Sequence, residues 1–428
     1  MAGVLVAGGG IGGLATALSL ASKGHRVTVL ERRGTFAELG AGIQLAPNAF
    51  HALDRLGVGA AVRARAVFID HLRFMDGTTG EQVAAMPLTG AYRARFGNPY
   101  AVVHRGDLYL PLLQACRAAA GIRLLSGRQV VRYEQEETAV TAFTADGEVF
   151  VGAALIGADG IHSAVRRQLL GDGKPRVSGH TIHRSVIPMR RVPEELRWNT
   201  VTLWAGPRWH LVHYPIGGGS QLNLAAVHDN DARDVLAGAP ADRAQVLGAF
   251  PEASATARRL LALGEEWRTW VLCDRAPVDH WTDGRVTLLG DAAHPMLQYA
   301  AQGACMALED AVVLGTLLDG CPAMDVAGQL RDFNALRCQR TGRVQRVATQ
   351  LGSELYHPSG GAATARNAML SSLTVDELHG RVAWLHGTDA LSRASSAPGG
   401  PCAGDGPIPE PPRSKGLHAG APDRPGPQ

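Results

Sequence analysis

Across its 428 residues the sequence contains no run of about 18 consecutive apolar residues, so nothing in it is expected to span a membrane. It also lacks a CxxC pair and any Cys/His spacing suited to a metal; six cysteines stand apart at 116, 273, 305, 321, 338 and 402. That usage reads as free thiols in a reducing cytoplasm rather than a disulfide framework, and no metal is expected. Lysine and arginine form no basic tract and the net charge is only +3, which argues against a nucleic-acid partner. The N-terminus is apolar, but glycines crowd it and no basic stretch precedes it, so it does not read as a signal peptide. No internal repeat is present. A chain of this length has room for two or three domains with sizeable cores.

What the chain does contain is the same local pattern three times: a short apolar strand, a turn of small residues with a carboxylate nearby, and a helix. The first is Val4-Leu5-Val6-Ala7, then GxGxxG at Gly8, Gly10 and Gly13 (with Gly12 between), then an Ala/Leu helix from Leu14 to Ser22. A second strand, Val27 to Leu30, ends at Glu31 and Arg32. Glycines at that spacing allow a tight turn and let a pyrophosphate rest on the helix N-terminus, where free N–H groups and the dipole favour an anion. An acid about 20 residues further on can accept from a ribose hydroxyl, so Glu31 favours the adenosine of FAD or NAD over a 2′-phosphate.

The second copy is Ala154-Leu155-Ile156-Gly157-Ala158-Asp159-Gly160-Ile161-His162-Ser163-Ala164-Val165-Arg166, in which Asp159 by itself would also serve as a helix cap or turn residue. The third is Val286 to Leu289, Gly290, Asp291 and the segment to His294 and Pro295, followed by an Ala/Met/Leu helix from Ala301 to Val313. Alone it equally fits an ordinary tight turn.

Organisation follows from composition. Residues 1–172 read as the first part of an α/β dinucleotide-binding domain, with some strands near 66–100 facing a substrate. Residues 173–279 turn to short strands (185–189, 201–204, 209–216, 222–227), an antiparallel layer that forms an inserted substrate domain. Residues 280–345 return to the first domain, and 346–386 form a helical C-terminal region within a stretch, 325–386, in which Leu330, Phe333, Leu336 and Arg337 keep helical spacing. Residues 387–428 are expected to be a disordered tail: 397–428 hold nine of the 24 prolines and few large apolar groups.

Taken in this order and at these separations, GxGxxG, ADGIHSAVR and GDAAHP resemble the FAD-dependent aromatic hydroxylases, the single-component flavoprotein monooxygenases, over about residues 1–386. The resemblance implies an α/β Rossmann-like FAD-binding domain with an inserted antiparallel β-sheet substrate domain. It implies FAD as cofactor, NADH and O2 as co-substrates, and a flavin C4a-hydroperoxide that hydroxylates an electron-rich ring. Gly8, Gly10, Gly12, Gly13, Glu31 and Arg32 would hold the ADP half. Arg105 matches the arginine that meets FAD in this family, the alternative being a surface ion pair with Asp107. Asp159 would support the second turn, Asp291 would accept from the ribityl chain, and Gln44 would lie near the flavin. With a single GxGxxG, the nicotinamide has no Rossmann domain of its own and would bind transiently. The resemblance leaves a homodimer open.

A phenol titrates near pH 10, so its deprotonation at neutral pH needs a positioned base. In the expected strand Trp209 to Ile216, alternation puts His210, Val212 and Tyr214 on one face, and Trp209, Leu211 and His213 on the other. His210 is the candidate base, the alternative being an interior histidine with a hydrogen-bond partner; a slip of one residue would exchange it with His213. His294 reads as organising its turn. PMLQYAAQGACMALEDA, the His210/Tyr214 spacing, Tyr356-His357-Pro358, Ala365 to Met369 and Trp384 to Gly387 are similar to the 3-hydroxybenzoate 6-hydroxylases, which make gentisate by para-hydroxylation. By that likeness His210 would deprotonate the substrate, Gln298 would assist and orient it, and Tyr214 would hydrogen-bond it. Arg184 and Arg208 are both candidates for the substrate carboxylate. Salicylate 1-hydroxylase and other phenolic-acid or polyketide hydroxylases remain alternatives, as does a non-catalytic FAD-bound sensor or sequestering protein. A flavin halogenase is disfavoured because no WxWxIP segment occurs.

Overall fold

Val4–Ala7, four apolar residues with every side chain buried, run through the middle of a six-stranded sheet. In the computed structural model, residues 3–37, 40–322, 324–388 and 391 are described; apart from 387, 388 and 391, the expected tail lies outside the described residues. The order across this sheet is 282–283, 286–288, 154–157, 4–7, 27–31 and 122–126, parallel except at the first pair. Its central strands are apolar runs because both faces are covered, one by helices and the other in part by the strands 130–135 and 140–144. Leu14 and Leu18 of the helix Ile11–Ser22 pack with Leu308 and Val312 of Gly303–Leu317 and with Leu330 and Phe333 of Val326–Gln350. The third helix starts two residues later than its composition suggested, because Ala301 adopts a left-handed φ of 51° that closes the short turn Gln298–Ala300.

The second large sheet has eight strands in the order 237–240, 268–274, 176–188, 221–229, 209–216, 200–206, 71–76 and 82–87. All neighbours are antiparallel except 200–206 with 71–76. Two strands from the first hundred residues thus extend the sheet built from the middle of the chain. Its two faces differ. Trp209 and Leu211 join Trp204, Leu224, Phe250 and Trp267 in one core, while Tyr214, Val201 and Ile216 join Ile69, Tyr92 and Tyr100 in another. Smaller sheets are formed by 42–45, 101–104 and 67–68, and by 149–152, 140–144 and 130–135.

The C-terminal part is helical: Val326–Gln350, a widened π turn Leu351–Tyr356, then Gly360–Ser371 and Val375–His386. Arg337, the charged member of an apolar stripe, is fully buried. Its Nε donates to Asp310 at 2.7 Å and its Nη1 to Glu309 at 2.8 Å. Arg340 donates to Glu309 and to the carbonyls of Trp384 and Leu385, fastening the last helix to this cluster. Among the described residues no helix is long and apolar enough to cross a membrane.

Candidate active site

Parallel strands bring the three sequence motifs together. Gly8, Glu31, Asp159 and Asp291 each lie at or just beyond the carboxyl end of one of four adjacent strands, the edge at which open α/β sheets bind ligands. Gly8 has φ of 104°, and a Cβ there would lie 2.3 Å from the carbonyl oxygen of Ala158; a Cβ on Gly13 would lie 1.9 Å from the carbonyl oxygen of Gly8. Both glycines are therefore dictated by the turn. Gly10 is different: it has ordinary extended backbone, and a Cβ would meet nothing within 4 Å. That open space faces the N-terminus of the helix Ile11–Ser22, whose cap residue supplies no side-chain hydrogen bond.

Glu31 accepts from the backbone N–H of Gly9 at 2.7 Å, and the exposed Arg32 follows it. Asp159 accepts from Ala164 N–H at 2.8 Å through Oδ2, whereas its Oδ1 is buried with no partner. Arg166 ties the second motif to the third by donating to the carbonyls of Ala292 and Ala293 at 2.9 and 2.6 Å. Asp291 is exposed at its turn, while His294 is buried beneath it with Nε2 2.6 Å from Asp310 Oδ2. Tyr109 donates to the carbonyl of Gly9, so the helix Arg105–Ala118 packs on the glycine turn. Asp107 pairs with Arg65 at 3.3 Å, and Arg105 lies along Gly40. Gln44 accepts from Tyr100 Oη at 2.6 Å. Open space at Gly10, an uncapped helix end and an orphaned carboxylate oxygen at Asp159 suit the pyrophosphate and hydroxyl groups of FAD.

The other half of the site lies on the eight-stranded sheet. Residues opposite one another in a ladder share a face, and Arg184 opposes Ala225, which opposes Val212; in the next row Val186 opposes Asn223, which opposes Tyr214. His210 stands on the same face of its strand, two positions before Val212. The turn Gln298–Ala300 covers this face: Arg184 Nη2 donates to Gln298 Oε1 at 2.6 Å. Burial holds the half-buried Arg184 guanidinium below its usual range, with Tyr214 opposing that shift and Arg105 adding to it. Among the described residues no carboxylate is within ion-pair distance of Arg184. Tyr214 is pushed up to about 12 by burial, against the pull of Arg184. Its ring lies so close to Gly42 that a Cβ there would sit 2.4 Å from Cε2. Arg208, the other candidate for the carboxylate, is instead exposed and engaged by Asp229 and Asp231.

His210 is 1% exposed, enclosed by the rings of Tyr299 and Tyr356 at 5.3 and 5.0 Å. Its Nδ1 lies 2.8 Å from Nε2 of His357. Burial, and then the neighbouring imidazoles of His357 and His180, hold it well below the usual histidine range, so it is neutral at neutral pH. His213 faces the other way, against Trp198 and Trp204, with burial holding it at about 3. Sequence reasoning left the Arg184–Gln298 pair and the His210–His357 contact undrawn, since their partners lie 114 and 147 residues apart. The one signal for the second was the Tyr356-His357-Pro358 motif.

A family model described as an FAD binding domain matches residues 1–321. The chain belongs to the FAD-dependent aromatic hydroxylases, flavoprotein monooxygenases that bind FAD and oxygenate aromatic rings. It is 46% identical over 390 residues to 3-hydroxybenzoate 6-hydroxylase 1 of Aquipseudomonas alcaligenes, covering 91% of this chain and 98% of that one. With 3-hydroxybenzoate 6-hydroxylase of Klebsiella oxytoca it shares 43% identity, covering 90% and 96%. Among solved structures, a salicylate hydroxylase substrate complex superimposes with a TM-score of 0.80 at 27% identity, covering 93% of this chain and 98% of that chain.

Proposed function

We propose that this enzyme uses NADH and O2 to hydroxylate 3-hydroxybenzoate para to its hydroxyl group, giving gentisate. The observation that carries this reading is the pairing on one sheet face of a half-buried cation lacking a protein carboxylate, Arg184, with a buried neutral imidazole, His210. A half-buried guanidinium without an ion-pair partner favours an anionic ligand. A neutral imidazole accepts a proton from a phenol. An aromatic acid with a ring hydroxyl supplies both groups, and the names of the similar enzymes narrow it to 3-hydroxybenzoate.

In this reading Gly8, Gly10, Gly12, Gly13, Glu31 and Arg32 receive the ADP half of FAD. Arg105, Asp159, Asp291 and Gln44 receive the remainder. Bound FAD, once reduced by NADH, supplies the activated oxygen. Arg184 takes the substrate carboxylate, Gln298 holds that guanidinium and orients the ring, and Tyr214 hydrogen-bonds the substrate. With Nδ1 of His210 turned to His357, Nε2 is the atom left to accept the hydroxyl proton. The flanking Tyr299 and Tyr356 rings exclude water from that step.

Oxygen uptake and product analysis with NADH, feeding 3-hydroxybenzoate, salicylate and 4-hydroxybenzoate separately, test the reading. Gentisate from the first and little product from the others is expected. Catechol from salicylate would replace the substrate assignment, and no substrate-stimulated uptake with any acid would sink it. Parallel assays with NADPH should give slower turnover.

A further inference from the structure

His210 is sealed from solvent, so a proton it accepts needs somewhere to go. The hydroxyls of its two aromatic neighbours are committed elsewhere: Tyr356 donates to the carbonyl of Tyr299 at 2.8 Å, and Tyr299 is hydrogen-bonded to Nδ1 of His180. Among the described residues the one hydrogen-bonding contact to the His210 ring is His357. That residue is itself fixed in place. Its N–H donates to the carbonyl of Gly352 in the first part of the π turn, and its carbonyl accepts from Arg208 N–H at 3.1 Å.

From His357 the path opens outward. The rings of His357 and His180 lie 5.0 Å apart. One nitrogen of each and one Asp229 oxygen all fall within 4.8 Å of one another. Asp229, 26% exposed, stands 3.9 Å from His180 Nε2 and is held by the exposed Arg208.

We propose that His357 is a positioning residue that also carries a proton, passing it from His210 to the surface beside His180 and Asp229. The inference rests on the reading of His210 as the acceptor of a substrate hydroxyl proton. The O–H bond of the bound phenol breaks as an N–H bond forms at His210 Nε2. The Nδ1–H bond of His210 breaks as one forms at His357 Nε2, and His357 releases its other ring proton toward His180, Asp229 and water. One proton enters, one leaves, and no electron moves. A buried imidazole that holds a proton poorly thereby becomes an effective base, because the proton does not stay on it.

The experiment mixes FAD-loaded enzyme rapidly with 3-hydroxybenzoate and a pH indicator, following phenolate absorbance and proton release. His357→Gln keeps an acceptor for His210 Nδ1 but cannot relay. It should slow both signals roughly 100-fold, with FAD content unchanged and partial rescue by added imidazole. Wild-type rates in His357→Gln overturn the relay while leaving the substrate reading intact. A wild-type enzyme that gives neither phenolate nor 3-hydroxybenzoate-stimulated NADH oxidation overturns both. Should the variant fail to fold, the wild-type rate in H2O/D2O mixtures decides: a curved dependence from several moving protons is expected, and a linear one overturns the relay.

Discussion

Arg184 donates a 2.6 Å hydrogen bond to Gln298, joining strand 176–188 of the eight-stranded sheet to the turn that follows the third cofactor motif. Through this contact one residue pair ties the eight-stranded sheet to the segment that carries Asp291.

Replacing Arg184 by Met should raise KM for 3-hydroxybenzoate by about 10- to 150-fold, the equivalent of a charge-assisted hydrogen bond of roughly 1.5–3 kcal/mol. FAD content should be unchanged. Steady-state kinetics with the acid and with 3-hydroxybenzyl alcohol make the check: the alcohol has no carboxylate, so its KM should move little. An unchanged KM for the acid would remove Arg184 from substrate binding.

His210→Ala should lower hydroxylation roughly 100- to 10,000-fold, the usual worth of a positioned base. NADH oxidation should continue with little product formed, so the ratio of gentisate to NADH consumed is the number to measure. If that ratio stays at the wild-type value and turnover is retained, His210 is not the base.

Gly10→Ala and Gly13→Ala should fail in different ways. The Cβ at position 10 enters open space, so the chain folds and loses FAD affinity. The Cβ at 13 would lie 1.9 Å from the Gly8 carbonyl, so the turn itself is disrupted. Flavin fluorescence titration and the Tm of the FAD-free protein separate the two. Equal FAD affinity in Gly10→Ala and wild type would contradict the assigned pyrophosphate position.

Acid should destabilise the fold through its buried histidines. Burial holds His213, His357 and His386 at about 3, far below the unfolded value of about 6.5. Because the folded state refuses the proton, their stabilising effect is complete above pH 6.5. It is lost progressively as pH falls from 6.5 toward 3. At pH 5 each such group costs up to about 2 kcal/mol. Thermal melts of the FAD-loaded protein from pH 7.5 to 5 should show a falling Tm; a flat profile would mean these imidazoles titrate normally.

Much of the cofactor half was legible because its signals are local. Glycines needed by a tight turn, a carboxylate at a strand end and an apolar strand before each are all set within about 25 residues of one another. The strand Trp209–Ile216 and the face its residues take were equally readable, since alternation in a strand is a property of the backbone. Arg337 was visible only as a charge on an apolar helical stripe, and Glu309 and Asp310 only as acids inside a helix. Their mutual neutralisation depends on two helices packing side by side.

By itself, then, the sequence determined the class of fold and the cofactor, because each is encoded by short-range pattern, and it singled out the candidate site residues. Only the tertiary structure decided which of them meet. It placed Arg184 rather than Arg208 beside Gln298, turned Nδ1 of His210 toward His357, and left Asp159 Oδ1 without a partner. Those outcomes follow from sheet register and from where a π turn delivers a side chain. Contacts between residues more than 100 positions apart are set by packing that no local pattern encodes.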